Sequence, residues 1–230
     1  IQNKNFEEVR AVQKRILVSY EADFSKHAPI EIVPRIRMVW QSIAAQLMKE
    51  NKKFVYGVIR EGARAKDFEI AIQWLLDAGL LHKVSRVSKP EIPLAAFEDF
   101  ACFKLFFCDL GLLSALVGLD SKTLILGNEL YLQFKGALAE QFVAQQLRTF
   151  KNCFVYYWTN ERSTAEVDFV VQAGNEIIPI EVKAEQNLRS KSFRLFCEKF
   201  TPPRAIRLSM ADYKHEGWME NIPLYGAGVL

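Results

Sequence analysis

The stretch AEVDFVVQAGNEIIPIEVK, residues 165–183, decides how the second half of this chain folds. Gly174-Asn175 lies between two runs rich in Val, Ile and Phe. A Gly-X pair closes a two-residue β-hairpin loop because Gly supplies the positive φ that a type II′ turn needs at its first position. That loop sets the register: Asp168 falls opposite Glu181, and Glu166 opposite Lys183. Directly opposed residues project from one sheet face, so alternation predicts a charged face of Glu166, Asp168, Glu181 and Lys183. Val167, Phe169, Ile180 and Val182 are then the core face. Opposed carboxylates repel at a Cβ separation of about 5 Å. A divalent cation removes that penalty, and Mg²⁺, which takes one or two carboxylates and keeps several waters, suits such a pair. Glu166 is expected to pair with Lys183.

Upstream, residues 134–150 read as a helix on which Glu140 shares a stripe with Gly136, Val143 and Leu147. An acid on an apolar face needs a partner there, and packing of this helix on the charged sheet face would bring Glu140 to Asp168 and Glu181. Further strands are expected at 154–159 and 204–210, with a helix at 190–200, which makes an α/β module with a mixed sheet. Arg189, Lys191, Arg194, Lys199, Arg204 and Arg207 face only Glu198 between 189 and 207, a run suited to phosphates. Tyr156, Tyr157 and Trp158 have the ring faces to stack bases, although aromatic residues on a strand are commonly core.

The first half reads differently. Helical periodicity covers residues 1–22, then 34–47, where Pro34 suits a first turn, then a third helix from about 63 that Gly79 ends. A strand at 80–87 and a return punctuated by Pro90 and Pro93 complete the order of a winged helix-turn-helix, or of a small helical packing module. Basic residues gather at 49–66, and Arg60, Arg64 and Lys66 lie near a helix start, where they would meet phosphates or form a solvated face. The boundary is expected at the looser stretch after Val117, giving domains 1–118 and 119–230.

With 230 residues, half of them hydrophobic and a quarter charged, the chain has enough apolar surface for packed cores and is not disordered. Its net charge of +3 argues neither for nor against a nucleic-acid, membrane or acidic partner. Cys102, Cys108, Cys153 and Cys197 lack the paired spacing of a zinc site and read as reduced core residues. No run approaches the roughly 20 apolar residues of a membrane span and Ile1 opens no signal peptide. No membrane partner is therefore expected, and the cytoplasm is the expected compartment. Gly57 and Gly62 have the spacing of a phosphate loop, but Ala63 and Arg64 stand where Lys and Ser or Thr are required. No nucleotide site is expected.

The order Glu140, Asp168, Glu181-Val182-Lys183 resembles the active-site signature of the PD-(D/E)XK nuclease superfamily, in the variant where an acid from the first helix precedes the two strands. The resemblance implies a restriction-endonuclease-like mixed sheet flanked by helices. It also implies a catalytic set of Glu140, Asp168, Glu181 and Lys183, in which the three acids hold Mg²⁺ and the lysine orients water or steadies developing charge. Glu166 has no counterpart in it.

A longer resemblance covers nearly the whole chain. The stretches QLMKENKKFVY (46–56), FKLFFCDLGLL (103–113), FKGALAE (134–140), AEVDF (165–169), IPIEVK (178–183), SKS (190–192) and IPLY (222–225) are similar to one group of prokaryotic predicted AAA+-type ATPases, whose C-terminal half is a domain of unknown function. The resemblance implies that an N-terminal ATPase module precedes this region in a longer protein and that ATP is bound only through it. The start at Ile1 agrees with that expectation.

Together these readings give an α/β protein, α+β overall, with a winged-helix-like segment before a nuclease-like sheet. Three functions stay open: Mg²⁺-dependent cleavage of DNA, DNA binding without cleavage, and an idle nuclease-like fold that couples the ATPase to a protein partner or to its own homo-oligomer. Arg60, Arg64, Lys66, Arg189, Lys191 and Arg194 are the candidate nucleic-acid contacts.

Overall fold

The computed structural model describes residues 5–49, 52–119, 129–160, 164–184 and 190–230, with side chains from residue 134 onward in the third of these segments. The protein is an α/β protein whose strands form one mixed eight-stranded sheet. The chain makes two compact units, one of Ile1–Lys83 with Leu105–Phe134 and one of Val84–Lys104 with Lys135–Leu230.

In the first unit, α1 (Phe6–His27) starts at Asn5, whose side-chain oxygen accepts from the N–H groups of Glu7 and Glu8. The helix runs past residue 22, where periodicity ended it, because Phe24 in its last turn is fully buried. Its ring lies edge-on to Trp40 (5.5 Å) and Trp74 (5.6 Å). Pro34 stands in the first turn of α2 (Val33–Leu47), which buries Ile36, Val39, Trp40, Ile43 and Leu47. The short α3 (Tyr56–Ile59) and α4 (Ala65–Asp77) follow. Gly79, at φ 69°, closes α4 in a Schellman motif: Leu80 N–H donates to Leu75 O and Gly79 N–H to Leu76 O. Then come β1 (Leu81–Val87) and β2 (Glu98–Phe107), which belong to the second unit from Val84 to Lys104, and α5 (Leu110–Leu116) of the first. Four helices, the third a single turn, thus precede two adjacent strands.

The second unit adds α6 (Glu129–Leu147, of which residues from Lys135 belong here), β3 (Cys153–Thr159), β4 (Glu166–Ala173), β5 (Glu176–Lys183) and α7 (Lys191–Phe200). The short strands β6 (Ile206–Ser209), β7 (Lys214–His215) and β8 (Glu220–Pro223) complete it. The strand order is β2-β1-β3-β4-β5-β6-β8-β7. β3, β4 and β5 form an antiparallel meander, whereas β1 joins β3, and β6 joins β5 and β8, in parallel. Gly174 has φ 60° while Asn175 does not take a positive φ, as a type II′ turn requires. The ladder from Ala173↔Glu176 to Phe169↔Ile180 has the register expected from the loop.

Both sheet faces are covered. Val167, Val170, Tyr156 and Trp158 pack with Phe193 and Phe196 of α7. Val171, Ile178, Ile180 and Ile206 line a cleft of about 160 Å³ on the other face, together with Leu147 of α6. The expected division into one charged and one apolar face therefore does not occur, and a β-bulge is the reason. Tyr156 pairs with Val170 but Trp158 pairs with Val167, so Asp168 and Phe169 together oppose Tyr157. Alternation is interrupted at Asp168, and Val167 joins the α7 core with Val170.

Candidate functional site

Asp168 sits on the bulge, where the extra residue re-aims a side chain. Its Oδ2 accepts the backbone N–H of Val182 at 2.8 Å, across the end of the β4–β5 ladder. Beyond that point lie Glu181 and Lys183, two residues apart on β5. Lys183 Nζ lies 2.8 Å from Glu181 Oε1, and the same oxygen accepts from Ser190 Oγ at 2.8 Å. Burial works against the charge on Lys183. The Glu181 carboxylate, its hydrogen bond, and then Asp168 and Glu140 outweigh that and hold the lysine above its ordinary value.

A second ammonium completes the arrangement. Lys104, on β2, is fully buried; it donates to Glu166 Oε1, lies 3.7 Å from Glu140 Oε2, and stands 4.9 Å over the Tyr157 ring. Burial favours its neutral form. The carboxylates of Glu166, Glu140 and Asp168 overcome this, so its pKa is raised and the lysine stays charged. Glu140 is buried on the stripe with Val143 and Leu147, as the periodicity of α6 predicts. The four residues picked from the sequence, Glu140, Asp168, Glu181 and Lys183, thus belong to one electrostatic network. Glu166 enters it through Lys104, not through Lys183 as expected, because Lys183 turns to Glu181 on its own strand.

Lys104 and Ser190 were missed as site residues. Ser190 had a signal in the SKS stretch that follows Glu181. Lys104 had one as well: it is a lone cation in the run Phe103-Lys104-Leu105-Phe106-Phe107, all buried.

As a metal centre the carboxylates are a poor fit, because each already faces a donor: Val182 N–H for Asp168, Lys183 and Ser190 for Glu181, and Lys104 for Glu140 and Glu166. Among the described residues no three His, Cys, Asp or Glu side chains are grouped to hold a metal ion. Cys197 is no nucleophile at neutral pH: burial, and then the charges of Glu181 and Glu198, push its thiol up to about 12.

The basic residues are largely engaged elsewhere. Arg194 pairs with Glu198 at 2.8 Å, Arg204 with Glu220 at 3.2 Å, and Arg207 is buried against Asn221 (2.9 Å) and Glu216 (3.1 Å). Lys191 is exposed at the start of α7, and Arg189 lies outside the described residues. In the first unit Arg60, Arg64 and Lys66 are exposed, with Arg60 5.8 Å from the Phe68 ring centre. Lys66 shares the exposed side of α4 with Glu69, Ile70 and Asp77, so that helix does not present a uniformly basic face. Tyr156, Tyr157 and Trp158 are buried and not available to stack bases; Trp158 packs edge-on against Phe196 (5.1 Å) and Phe200 (5.7 Å). Among the described residues no helix is long and apolar enough to cross a membrane.

Residues 135–225 match the model of a second domain of unknown function (DUF4143). No curated protein and no solved structure matches the chain. A first family model, described as a domain of unknown function (DUF8612), matches residues 1–123. That match spans more than half of the sequence, and the chain belongs to this family.

Proposed function

We propose that this chain is a non-catalytic accessory module of an AAA+-type ATPase, built on a PD-(D/E)XK nuclease-like fold whose acid and lysine constellation serves as an internal charge network. One observation carries this reading: each signature carboxylate faces a cation or donor of the protein itself, Lys183 and Ser190 for Glu181, the Val182 N–H for Asp168 and, at 3.7 Å, the buried Lys104 for Glu140. A site prepared for phosphodiester hydrolysis needs acid oxygens directed at a metal and its water. Here Glu140 and Glu181 face lysines, and Asp168 accepts a backbone N–H. The ATPase association is supported by the sequence stretches similar to predicted ATPases and by the match of residues 135–225 to DUF4143. A protein partner or a second copy of the chain is favoured over nucleic acid, because Arg194, Arg204 and Arg207 are engaged in pairs of their own.

The second reading is Mg²⁺-dependent cleavage, with Glu140, Asp168 and Glu181 as ligands and Lys183 as the cationic helper. It is favoured by the excess of acids, since two ammonium groups serve the carboxylates of Glu140, Glu166, Asp168 and Glu181. Incubation of the chain with linear and supercoiled DNA in Mg²⁺ or Mn²⁺ separates the two. The expected result is no metal-dependent product. Cleavage that disappears in Asp168→Ala and Glu181→Ala would overturn the proposal in favour of the enzyme. DNA affinity that falls steeply with salt, without products, would shift the partner from protein to DNA.

A further inference from the structure

The cleft between the sheet and the end of α6 shares no residue with the acid and lysine constellation. Its walls are apolar: Leu147 and Phe150 at the end of α6 and the turn after it, Val171 on β4, Ile178 and Ile180 on β5, and Ile206 on β6. Three polar side chains reach the same space, Lys151, Asn152 and Arg204, and all of them carry N–H donors. Lys151 and Asn152 are exposed, and among the described residues neither side chain has a partner. Arg204 gives Nε and Nη2 to the two oxygens of Glu220, at 3.2 and 3.3 Å, which leaves Nη1 for another acceptor. Burial raises the pKa of the Cys153 thiol, which also lines the cleft, and keeps it neutral. Two cations against the one carboxylate that Arg204 holds make a positive rim beside an apolar interior.

Size and charge together define what fits. An apolar cavity of about 150 Å³ takes one benzene ring, and the cleft here is about 160 Å³. The strands beneath it, β4, β5 and β6, are each paired on both edges, so a peptide could not be held there as an added strand. We propose that this cleft binds a small monocarboxylate of about six carbons, with its apolar part against β4, β5 and β6 and its carboxylate at Lys151, Asn152 and Arg204. The site goes beyond the non-catalytic reading and is independent of it, so either can fail without the other.

The test is a titration of the full chain with hexanoate, followed by NMR of ¹³C-labelled Ile, Leu and Val methyl groups. Binding is expected to saturate with a Kd of about 1 mM or tighter, and to move the signals of Ile178, Ile180 and Ile206. Affinity is expected to rise about fourfold per methylene from butanoate to hexanoate and to level off in octanoate, which outgrows the cleft. Hexanol, which lacks the charge, is expected to bind about tenfold more weakly than hexanoate. Lys151→Glu, a change at an exposed position, is expected to weaken hexanoate about tenfold and to leave hexanol unchanged. Ile178→Trp fills the cleft and is expected to abolish binding of both; should that variant not fold, Lys151→Glu decides. Three results would each overturn the proposal: no movement of the cleft methyl signals at about 10 mM hexanoate, hexanol binding as tightly as hexanoate, or wild-type hexanoate affinity in Lys151→Glu.

Discussion

Replacing Glu166 by Gln removes the carboxylate that contacts Lys104 most closely while keeping the side chain's size. Lys104 is fully buried, so water cannot take over, and the nearest remaining carboxylate oxygen is Glu140 Oε2 at 3.7 Å. Breaking a buried pair from one side costs about 3–5 kcal/mol. The lower end applies, about 3 kcal/mol, because Glu140 stays and the Glu166 side chain is 24% exposed. For a chain of this length that is a fall in Tm of about 6–12 °C. Glu181→Gln is the control. Its lysine, Lys183, is 31% exposed and regains water, and Gln still accepts from Ser190, so about 1 kcal/mol is expected. Calorimetric scans of both variants and of the wild type measure the difference. A fall for Glu166→Gln no larger than that for Glu181→Gln would refute the idea that Lys104 depends on its acids. The pH dependence adds a sign. Because the folded state raises the pKa of Lys104, its stabilisation is present in full below the unfolded-chain value of about 10.4 and is lost as pH rises through the folded one. The stabilisation that Lys104 brings to the wild type is therefore constant from pH 6 to about 10 and falls only above about 10.4.

Trp158→Ala empties a buried site against Phe196 and Phe200 and is expected to cost about 4 kcal/mol, seen as lost cooperativity or a much lower Tm. Gly174→Ala meets no atom within 4 Å but must hold φ at 60°, so denaturant melts should give a loss of about 1 kcal/mol from backbone strain alone, with Asn at the same position costing less.

The β4–β5 register was legible because it follows from local turn chemistry, in which Gly174 supplies the φ that the loop requires. Glu140 was legible for a similar reason, since a helix period is a property of one segment and an acid on its apolar stripe stands out. The bulge at Asp168 was not. It is defined by the pairing of β4 with β3, and nothing within residues 165–173 records that Trp158 will meet Val167 while Tyr156 meets Val170. The partner of Glu166 was missed for the same reason. Lys104 lies 62 positions earlier in the sequence, and it reaches the acids only because β1, and with it β2, joins the sheet beside β3. Long-range order decides which charges meet, and pattern within a segment does not encode it.

The position of Lys104 in the chain has a consequence for inheritance. It falls inside the region matched by the first family model, 1–123, while Glu140 and Glu166 fall inside the second, 135–225. The second region on its own would keep its acids and leave their counter-ion behind. Grafted behind a different leading sequence, it would carry Glu140 and Glu166 without their lysine, unless the new neighbour also brought a strand with a lysine at the equivalent place. The two regions are therefore coupled by charge as well as by peptide bonds.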